Sequence, residues 1–311
     1  MIDALCIGYA CYDMFYYLDN FPPEDRKIFV HDTDESGGGP AANAAYLLST
    51  WGIKTAFAGC LGDDREAQAL LDEFDRVGTD ISLVKKNKDF RTPFSSIIVN
   101  RAKGTRTILT RHMDPPAYSP DLDLLYRGNA APPKIILADG HQLMATLEAK
   151  DRFRDSLLVL DAGSLRDATR TLLLKSDYAV CSEVFGAAFI DQTSLDTMDK
   201  ARKATLAIQT QCKGQVAITL GKRGVIFVEN NKMRSLPAFP VNAVDTTAAG
   251  DIFHGAFVFA LHEKMSFYDA LIFASAAAAI SVTRPGGRAS IPNLAEVREF
   301  LCAKHNMLHF P

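Results

Sequence analysis

Short apolar runs recur along the chain, and the stretches between them space their apolar residues as amphipathic helices do. The runs predict buried strands at Ala4–Gly8, Thr55–Gly59, Ile135–Ala138, Leu157–Leu160, Tyr178–Cys181 and Val216–Leu220. Strands without polar interruptions are typical of parallel sheets that helices cover on both faces. The intervening pattern predicts helices at Ala41–Trp51, Glu66–Val77 and Met198–Gln211. Strands that alternate with helices favour an α/β protein with a doubly wound, mostly parallel central sheet.

Two stretches depart from this alternation. Met14–Val30 and Pro93–Arg111 alternate apolar and polar residues around turn signals that contain Pro or Gly. This pattern predicts antiparallel hairpins with one exposed face. In the first hairpin the turn falls at Pro22–Asp25, and Lys27–Val30 is the predicted second strand. We expect the two hairpins to form a small β-sheet beside the main sheet.

The length of the chain bears on its domain organisation. At roughly 150 residues per domain, 311 residues allow two domains or one large α/β domain with an appendage. The region after Asp245 is helical and rich in Ala, which favours the second arrangement. We therefore predict one domain over residues 1–311, with a lid formed by about 12–34 and 92–112.

Composition and charge exclude several classes of protein. Hydrophobic residues make up 48% and charged residues 23%, as in globular proteins, which excludes disordered, collagen-like and disulfide-dense chains. The net charge of -3 gives no basic surplus for nucleic acid. The N-terminus lacks the basic segment of a signal peptide, and the longest apolar run, Ala270–Val282, is too short to span a bilayer. Six scattered cysteines predict free core thiols, and the protein is expected to be cytoplasmic.

The segment Asp245–Gly255, DTTAAGDIFHG, combines small residues with a carboxylate just before an apolar helix. Ala248, Ala249 and Gly250 leave backbone N–H groups accessible at a helix N-terminus, which can bind an anion. A carboxylate repels an anion, so Asp251 is an unexpected residue beside an anion site. Its presence there is explained if it takes a proton from a hydroxyl that attacks phosphorus. The alternative is an ordinary N-cap followed by small residues that pack well.

Two further segments are rich in glycine. In Ser36–Ala45, SGGGPAANAA, three consecutive glycines leave the backbone without side chains just before a predicted helix. The amide of Asn43 adds a hydrogen-bond donor and an acceptor. Thr219–Gly224, TLGKRG, follows a predicted strand, and open α/β sheets bind ligands at the carboxyl ends of strands. A tight turn explains either segment equally well. Neither a GxGxxG string after the first strand nor GxxxxGK[ST] occurs, which disfavours dehydrogenases and P-loop nucleotidases.

Together these motifs resemble the ribokinase (PfkB) family of carbohydrate kinases. GGPAANAA and DTTAAGDIFHGAFV match two family signatures in the family's order. TLGKRG occupies the position of the family's nucleotide loop, and FASAAAAISVTRPGGRASIP is similar to the ribokinase tail. The resemblance covers essentially the whole chain. It implies a ribokinase-like, Rossmann-type sheet flanked by helices, with a small β lid that closes over a sugar.

The resemblance also implies roles for individual residues. Asp251 would be the general base, and Arg106 would stabilise charge near the transferred phosphoryl group unless it is simply an exposed strand charge. The anion hole would be formed by Ala248, Ala249, Gly250 and Asp251. The residues implied in sugar binding are Asp13, Asp25, Lys27, Gly38, Gly39, Asn43 and Asp251.

For the nucleotide, the resemblance implies an ATP site with Mg²⁺ and a K⁺ site beside the anion hole. The family's Asn-x-x-Glu motif departs from its usual form, because Ser182 replaces the Asn and Phe185 the Glu, so that Glu183 is the remaining candidate. The other implied ATP-binding residues are Thr219, Gly221, Gly224 and Ser275. The implied K⁺ ligands are Asp245, Thr247 and Ser290.

The identity of the sugar follows less directly. Lys27 and the tail resemble the sulfofructose kinase branch, but Thr110 and His141 stand where two further sulfonate donors are expected. The segments EDRKI and GTRTIL resemble ketohexokinase. We therefore predict phosphorylation of a primary hydroxyl of a ketohexose such as fructose. Ribose, a sulfonated or phosphorylated sugar and a nucleoside are alternatives, and a non-catalytic ligand sensor is the alternative class.

The first hairpin also bears on assembly. Its aromatic run Phe15, Tyr16 and Tyr17 offers an apolar face, and an unpaired sheet edge invites pairing with another chain. We therefore predict a homodimer that forms through the lid, although packing inside one chain explains the aromatic run too.

Overall fold

The structure, a computed structural model, describes residues 2–103, 105–111, 114–126 and 131–304. In chain order the strands are β1 Ala4–Ile7, β2 Cys11–Leu18, β3 Thr33–Gly38, β4 Thr55–Ala58, β5 Cys60–Leu61, β6 Lys85–Lys86, β7 Phe94–Asn100, β8 Thr105–Thr110, β9 Ile135–Ala138, β10 Leu157–Ala162, β11 Tyr178–Ser182, β12 Gln215–Thr219, β13 Val225–Glu229 and β14 Lys232–Leu236. The α-helices are α1 Pro40–Thr50, α2 Arg65–Arg76, α3 Leu143–Arg152, α4 Asp167–Leu173, α5 Glu183–Phe189, α6 Met198–Gln209, α7 Ala249–His262, α8 Phe267–Ser281 and α9 Leu294–Lys304. Short 3-10 helices lie at Leu122–Tyr126, Gly221–Arg223 and Gly287–Ser290.

An eight-stranded sheet forms the centre of the fold, in the order β14-β13-β12-β11-β10-β9-β1-β4. The strands from β12 to β4 pair in parallel, and β13 and β14 extend the sheet in antiparallel pairing. All the predicted buried strands lie among the parallel ones, which confirms the predicted fold class. Because parallel strands end at the same edge, residues that follow β1, β9 and β10 are brought together there.

Each face of this sheet carries its own apolar core. Alternate residues of β1 point to opposite faces, so that Ala4 and Cys6 join one core while Leu5 and Ile7 join the other. Helices α1, α2, α7, α8 and α9 contribute to the first core, and α3, α4, α5 and α6 to the second. Two covered faces explain why the strands are apolar without alternation. The three predicted helices correspond to α1, α2 and α6 with nearly the same bounds.

A second sheet, of four strands in the order β3-β2-β7-β8, stands apart from the main one. Strand β2 pairs with β7 in parallel, and β7 pairs with β8 antiparallel. The β7–β8 pair is the hairpin predicted at Pro93–Arg111, which is confirmed. Residues 104 and 112 of the predicted lid segment lie outside the described residues.

The prediction for the first hairpin is wrong in its second strand. Lys27–Val30 forms no strand and is largely exposed, and β2 pairs instead with β3. The glycines of β3, which in the sequence resemble a turn, are extended and paired with β2, and glycine is needed there because side chains would not fit. A Cβ on Gly38 would lie 2.1 Å from Oδ2 of Asp13, and a Cβ on Gly37 would lie 2.3 Å from Cζ of Arg288.

Two features of the described residues concern membrane-spanning helices and the state of the cysteines. No helix within the described ranges combines the length and the apolar character that crossing a membrane requires. All the cysteines are free; Cys302 is exposed and the other five are buried, as expected for core thiols.

Gly39 joins β3 to α1 and is held in a conformation that side chains oppose. Its φ of 98° and ψ of 139° belong to a region that is essentially restricted to glycine. A Cβ there would lie 2.5 Å from the carbonyl oxygen of Tyr9, just beyond β1. Gly52, at the end of α1, also has a positive φ of 85°, but a Cβ there would meet no atom within 4 Å. A comparison of the two glycines therefore distinguishes the cost of a positive φ, which both share, from the cost of a steric clash, which only Gly39 has.

We expect Gly39→Ala to lower the free energy of unfolding much more than Gly52→Ala. The Gly52 variant meets only the cost of a left-handed residue, about 1–2 kcal/mol. The Gly39 variant adds a clash with backbone that cannot move without shifting the end of β1. Urea unfolding of both variants, followed by circular dichroism, measures the difference. Equal losses of stability would contradict the close approach of Gly39 to Tyr9.

Candidate active site

The turn that opens α7 is arranged to receive an anion. Ala248 is the N-cap, with a left-handed φ of 58°, and Ala249 and Gly250 begin the helix. A Cβ on Gly250 would meet no atom within 4 Å, so this side of the turn is open. The first N–H groups of a helix have no intrahelical acceptor and lie at the positive end of the helix dipole. The open turn can therefore bind a phosphate-like group through its backbone.

Asp251 lies in the first turn of α7 and contacts Asn43 of α1. The Nδ2 of Asn43 donates a hydrogen bond to Oδ2 of Asp251 at 2.7 Å. Asp251 is half-buried as a residue, at the open side of this turn. Desolvation raises the pKa of Asp251 to about 7, the charge of Asp161 adds to the rise, and the Asn43 hydrogen bond opposes it. A carboxyl group that titrates near neutral pH is suited to accept a proton.

Asp13, in β2, provides a second carboxylate on this side. It is 8% exposed, and its Oδ1 accepts a hydrogen bond from Sγ of Cys11 at 3.2 Å. Burial raises the pKa of Asp13 to about 6, while hydrogen bonds from Cys11 and Ser95 oppose the rise. Burial and the neighbouring Asp13 raise the pKa of the Cys11 thiol well above its usual value. The charge of Asp13 also raises the pKa of Asp251, because like charges repel.

Asp161 and His254 form a buried pair behind Asp251. The Nδ1 of His254 lies 3.1 Å from Oδ2 of Asp161 and 2.7 Å from the carbonyl oxygen of Gly250. Its Nε2 lies 3.1 Å from the carbonyl oxygen of Val180 in β11. Burial raises the pKa of Asp161 to about 6, and His254 opposes the rise. Because each ring nitrogen of His254 lies within hydrogen-bonding distance of an oxygen atom, this side chain links α7 to β11 of the main sheet.

Arg106 connects the second sheet to this turn. It lies on β8, which is exposed along its whole length. Its Nη1 donates a hydrogen bond to Oγ1 of Thr246, two residues before the N-cap Ala248. The arginine therefore reaches the anion-binding turn from the side that the sequence predicts for the lid.

The candidate K⁺ ligands lie on two adjacent segments. Oδ1 of Asp245 accepts hydrogen bonds from the N–H of Thr247 at 2.8 Å and from its hydroxyl at 2.7 Å. Oδ2 of Asp245 accepts a hydrogen bond from the N–H of Gly286 at 2.9 Å. Oγ of Ser290 donates to the carbonyl oxygen of Gly287 at 2.9 Å. Asp245 thus ties the loop before α7 to the segment that contains Ser290.

The candidate nucleotide residues line the ends of β11 and β12. Oγ1 of Thr219 donates to the carbonyl oxygen of Cys181 at 3.3 Å. Gly221 has a φ of 55° and open space where a Cβ would be, which leaves room for a ligand. Gly224 is required by packing instead, since a Cβ there would lie 1.9 Å from the carbonyl oxygen of Leu236.

Glu183 and Ser275 already have partners within the protein. Glu183 begins α5 and pairs with Arg223 at 2.7 Å. Ser275, in α8, donates its hydroxyl to the carbonyl oxygen of Leu271 at 2.7 Å. The arginine neutralises the carboxylate of Glu183, so this side chain does not present a free negative charge to a cation.

Asp25 and Lys27 are not brought to the cluster of Asp13, Asn43 and Asp251. Both are exposed on the segment between β2 and β3, where no strand forms. The Nζ of Lys27 lies 5.3 Å from the ring centroid of Phe29, a neighbour on the same exposed segment. Both side chains therefore lie on the protein surface, on the long connection between β2 and β3.

Sequence reasoning missed Asp139, Asp161 and Arg288. Asp139 follows β9, and its carboxylate accepts hydrogen bonds from the N–H groups of Tyr9, Ala41 and His141 at 2.8, 3.2 and 2.9 Å. A detectable signal existed for the two aspartates, because each comes directly after an apolar strand segment, IILA or LLVL. No comparable local signal marks Arg288, whose partners are distant in sequence.

The comparisons with known proteins define the class of this chain. The family model described as pfkB family carbohydrate kinase matches residues 1–294. The chain therefore belongs to the pfkB family of carbohydrate kinases, which confirms the resemblance and the prediction of a sugar kinase.

Individual relatives agree with this assignment. The ribokinase of Haemophilus influenzae is 31% identical over 277 residues, which cover 85% of this chain and 87% of that protein. The ribokinase structure from Thermotoga maritima has a TM-score of 0.79 at 27% identity and covers 97% of this chain and 100% of that chain. The Arabidopsis thaliana ribokinase, complexed with ribose and ATP, shares the fold at a TM-score of 0.80 and 23% identity, covering 97% of this chain and 99% of that chain.

The raised pKa of Asp251 predicts how its replacement changes stability. The folded chain binds this proton more tightly than the unfolded chain, whose pKa is near 3.8, so ionisation costs stability as the pH rises from 3.8 to about 7. Asp251→Asn removes that cost. We expect the melting temperature of the variant to exceed that of the wild type more at about pH 8 than at about pH 5. Thermal scans at both pH values measure the gain, and an equal gain at both would contradict the raised pKa.

Proposed function

We propose that this chain transfers the γ-phosphoryl group of ATP to a primary hydroxyl of a small sugar, with Asp251 as the general base. The observation that carries the proposal is the 2.7 Å contact between Asn43 and Asp251 at the open first turn of α7. A carboxyl group with a pKa of about 7 is partly ionised at neutral pH and can take up a proton there. Membership of the carbohydrate kinase family supports the same reaction.

In the proposed reaction, Asp251 takes the proton of the sugar hydroxyl while the hydroxyl oxygen attacks the γ-phosphorus. The bond between the γ-phosphorus and its bridging oxygen breaks, and ADP leaves with the electron pair. The backbone N–H groups of Ala249 and Gly250 donate to the phosphoryl oxygens, and Arg106 adds positive charge from the second sheet. Positioning and stabilisation of charge supply most of the rate in phosphoryl transfer.

On the sugar side, Asp13 and Asn43 offer hydrogen-bonding groups to neighbouring hydroxyls. Gly38 and Gly39 would present backbone groups to the sugar at the start of α1, while the space that their side chains would need is filled by Asp13 and Tyr9. We propose that the second sheet is the lid and that its closure brings in the connection that carries Asp25 and Lys27. Closure would exclude water, which otherwise competes with the sugar as acceptor.

The cations expected with ATP fit the site to different extents. Asp245, Thr247 and Ser290 are buried, and each carries a side-chain oxygen, the kind of donor proposed for K⁺. Both carboxylate oxygens of Asp245 already accept hydrogen bonds, from Thr247 and Gly286. Mg²⁺ neutralises phosphate charge when it is bound with ATP. Glu183 is paired with Arg223 and does not by itself make a magnesium site. Within the described residues no group of three or more His, Cys, Asp or Glu could hold a metal ion.

For the substrate, we propose ribose or a closely related pentose. The similar ribokinase of Haemophilus influenzae carries its name from that sugar. The predicted preference for a ketohexose finds no support in the comparisons, and fructose therefore becomes a test compound. The free thiols support a reducing, cytoplasmic setting for this reaction.

The function is tested by ADP release on a panel of ribose, deoxyribose, fructose, a sulfosugar and adenosine. We expect the highest kcat/KM with ribose, and a kcat that falls as the pH drops below about 7 because Asp251 must be ionised. Asp251→Asn should lower kcat by about 10²–10⁴-fold, since the general base is lost. Potassium and sodium buffers compared in the same assay test the proposed K⁺ site.

The matched control is Asp199→Asn, which removes an exposed carboxylate from the first turn of α6. It should leave kcat unchanged. Near-normal turnover of the Asp251 variant would overturn the proposed mechanism. Wild-type enzyme that binds ribose without consuming ATP would favour a ligand sensor, and preferential use of adenosine would favour a nucleoside kinase.

We also propose that two chains pair through the lid. The second sheet and its connection expose large apolar side chains, including Phe29 at 71% and Leu109 at 58%. Strand β8, which carries Leu109, lies at an edge of that sheet. Exposed apolar side chains gathered on one small sheet are typical of interaction surfaces.

Leu109→Glu is therefore expected to shift the protein from dimer to monomer, because it places charge in the proposed interface. Sedimentation velocity of the wild type and the variant measures the shift. Leu174→Glu is the matched control, since Leu174 is 60% exposed at the end of α4. A wild type that sediments as a monomer, or a control that dissociates equally, would contradict the interface.

A further inference from the structure

Arg288 is a buried arginine that connects a carboxylate of α2 to an amide of α1. It lies in the 3-10 helix Gly287–Ser290 and is 6% exposed. Its Nη1 donates to Oε2 of Glu73 in α2 at 2.5 Å, and its Nε donates to Oδ1 of Asn43 at 3.2 Å. Its Nη2 is buried without a hydrogen-bond partner in the described part of the chain. A buried N–H without a partner costs about 1–3 kcal/mol.

The surroundings of Arg288 hold its guanidinium in one plane. The ring of Tyr46 lies 4.7 Å and the ring of Phe74 lies 4.8 Å from Cζ. Gly37 lies against the same group, since a Cβ there would be 2.3 Å from Nη1. Glu73 also accepts hydrogen bonds from the N–H of Gly37, at 3.0 and 3.1 Å. The guanidinium therefore cannot rotate without displacing an aromatic ring or the end of β3.

This rigid group determines which way the amide of Asn43 faces. An arginine only donates hydrogen bonds, so the side of the Asn43 amide that meets Nε must be the oxygen. The amide nitrogen is then directed to Asp251, as the 2.7 Å contact shows. If the amide turned over, two donors would face each other at Arg288 and two acceptors would face each other at Asp251.

We propose that Arg288 is a positioning residue for phosphoryl transfer, acting through Asn43 so that a donor always faces the proton-accepting carboxylate of Asp251. The proposal rests on the proposed role of Asp251 as general base. Arg288 itself does not touch the reacting atoms in this scheme. It supplies one donor and a fixed plane, and the orientation of the Asn43 amide follows from both.

A purely structural role for Arg288 predicts different behaviour. In that case the residue would only pair with Glu73, and its loss would lower the amount of folded protein without altering the properties of Asp251. Breaking a buried pair on one side destabilises a protein strongly, whereas replacing both partners is often neutral. The variants therefore include Arg288→Met, the double variant Glu73→Gln with Arg288→Met, and Arg288→Lys, which keeps the charge but lacks the Nε donor.

The decisive measurement is the titration of Asp251 in the protein without substrates. Carbon-13 NMR of aspartate-labelled protein follows the carboxyl carbon, and the Asp251→Asn spectrum assigns its signal. We expect the pKa of Asp251 to rise in all three variants, because the Asn43 hydrogen bond lowers it in the wild type. The other groups that face Asp251 are Asp13, Cys11, Asp161 and His254. The charge of Arg288 lowers the pKa of Asp13 and of Cys11, so Arg288→Met perturbs both, whereas Arg288→Lys keeps that charge and isolates the effect of the hydrogen bond.

Turnover gives a second, independent readout. We expect kcat to fall by on the order of tenfold to a hundredfold at neutral pH, with the acidic limb of its pH profile moved to higher pH. In an Asn43→Ala background, Arg288→Met should cause no further loss, because the two residues act through one hydrogen bond. Arg284→Met is the matched control, since Arg284 pairs with Glu296 of α9, away from the Asn43 amide.

The outcomes separate the two proposals. An unchanged Asp251 titration in the folded variants, a loss of kcat that is equal at every pH, or losses that add to that of Asn43→Ala would overturn the role of Arg288. A titration that Arg288→Lys restores to wild type would also overturn it. A wild type that phosphorylates no sugar would overturn the proposed function, while the titration, measured without turnover, would still decide whether Arg288 orients the Asn43 amide toward Asp251.

Discussion

Three carboxylates held together away from bulk water are the constraint on which the site depends. Asp13, Asp161 and Asp251 each have a raised pKa, with desolvation as the leading cause. When they are ionised together they repel one another, which destabilises the folded chain at the site where the chemistry is proposed. The surrounding structure compensates at each carboxylate separately: a thiol donates to Asp13, an imidazole lies beside Asp161, and an amide donates to Asp251.

The architecture delivers these groups from different parts of the chain to one edge of the main sheet. Asp161 belongs to the end of a parallel strand, while Asp251 comes from the start of α7, which packs against α1. Asp139 joins the end of β1, the start of α1 and the loop after β9 through three N–H groups. Such rigid supports explain how a destabilised site persists in a stable scaffold.

Most of the fold could be predicted from the sequence, because buried parallel strands are apolar without interruption and leave a direct signal. The pairing of β2 with β3 could not, since the extended glycines Gly37 and Gly38 lie in a segment with the composition of a turn. Glycine is required at these two positions because side chains from elsewhere, Asp13 and Arg288, occupy the space that a Cβ would need.

The candidate site likewise contains residues that could be predicted from the sequence and residues that could not. Asp251 and Asn43 could be found because they lie in recognisable local motifs, and the structure brings them into contact. The link to Arg288 could not, because it joins residues that are 245 positions apart and depends on the orientation of an amide. Asp25 and Lys27 were expected near the sugar, yet in this conformation they are exposed on a connection without regular structure.

Cys11 has a consequence beyond its contact with Asp13. Electrophiles and oxidants react with the thiolate form of cysteine, and a neighbouring carboxylate together with burial keeps this sulfur protonated. Cys11 is therefore expected to be alkylated more slowly than the exposed thiol of Cys302. Burial beside Asp13 is expected to protect this sulfur from oxidation in the same way.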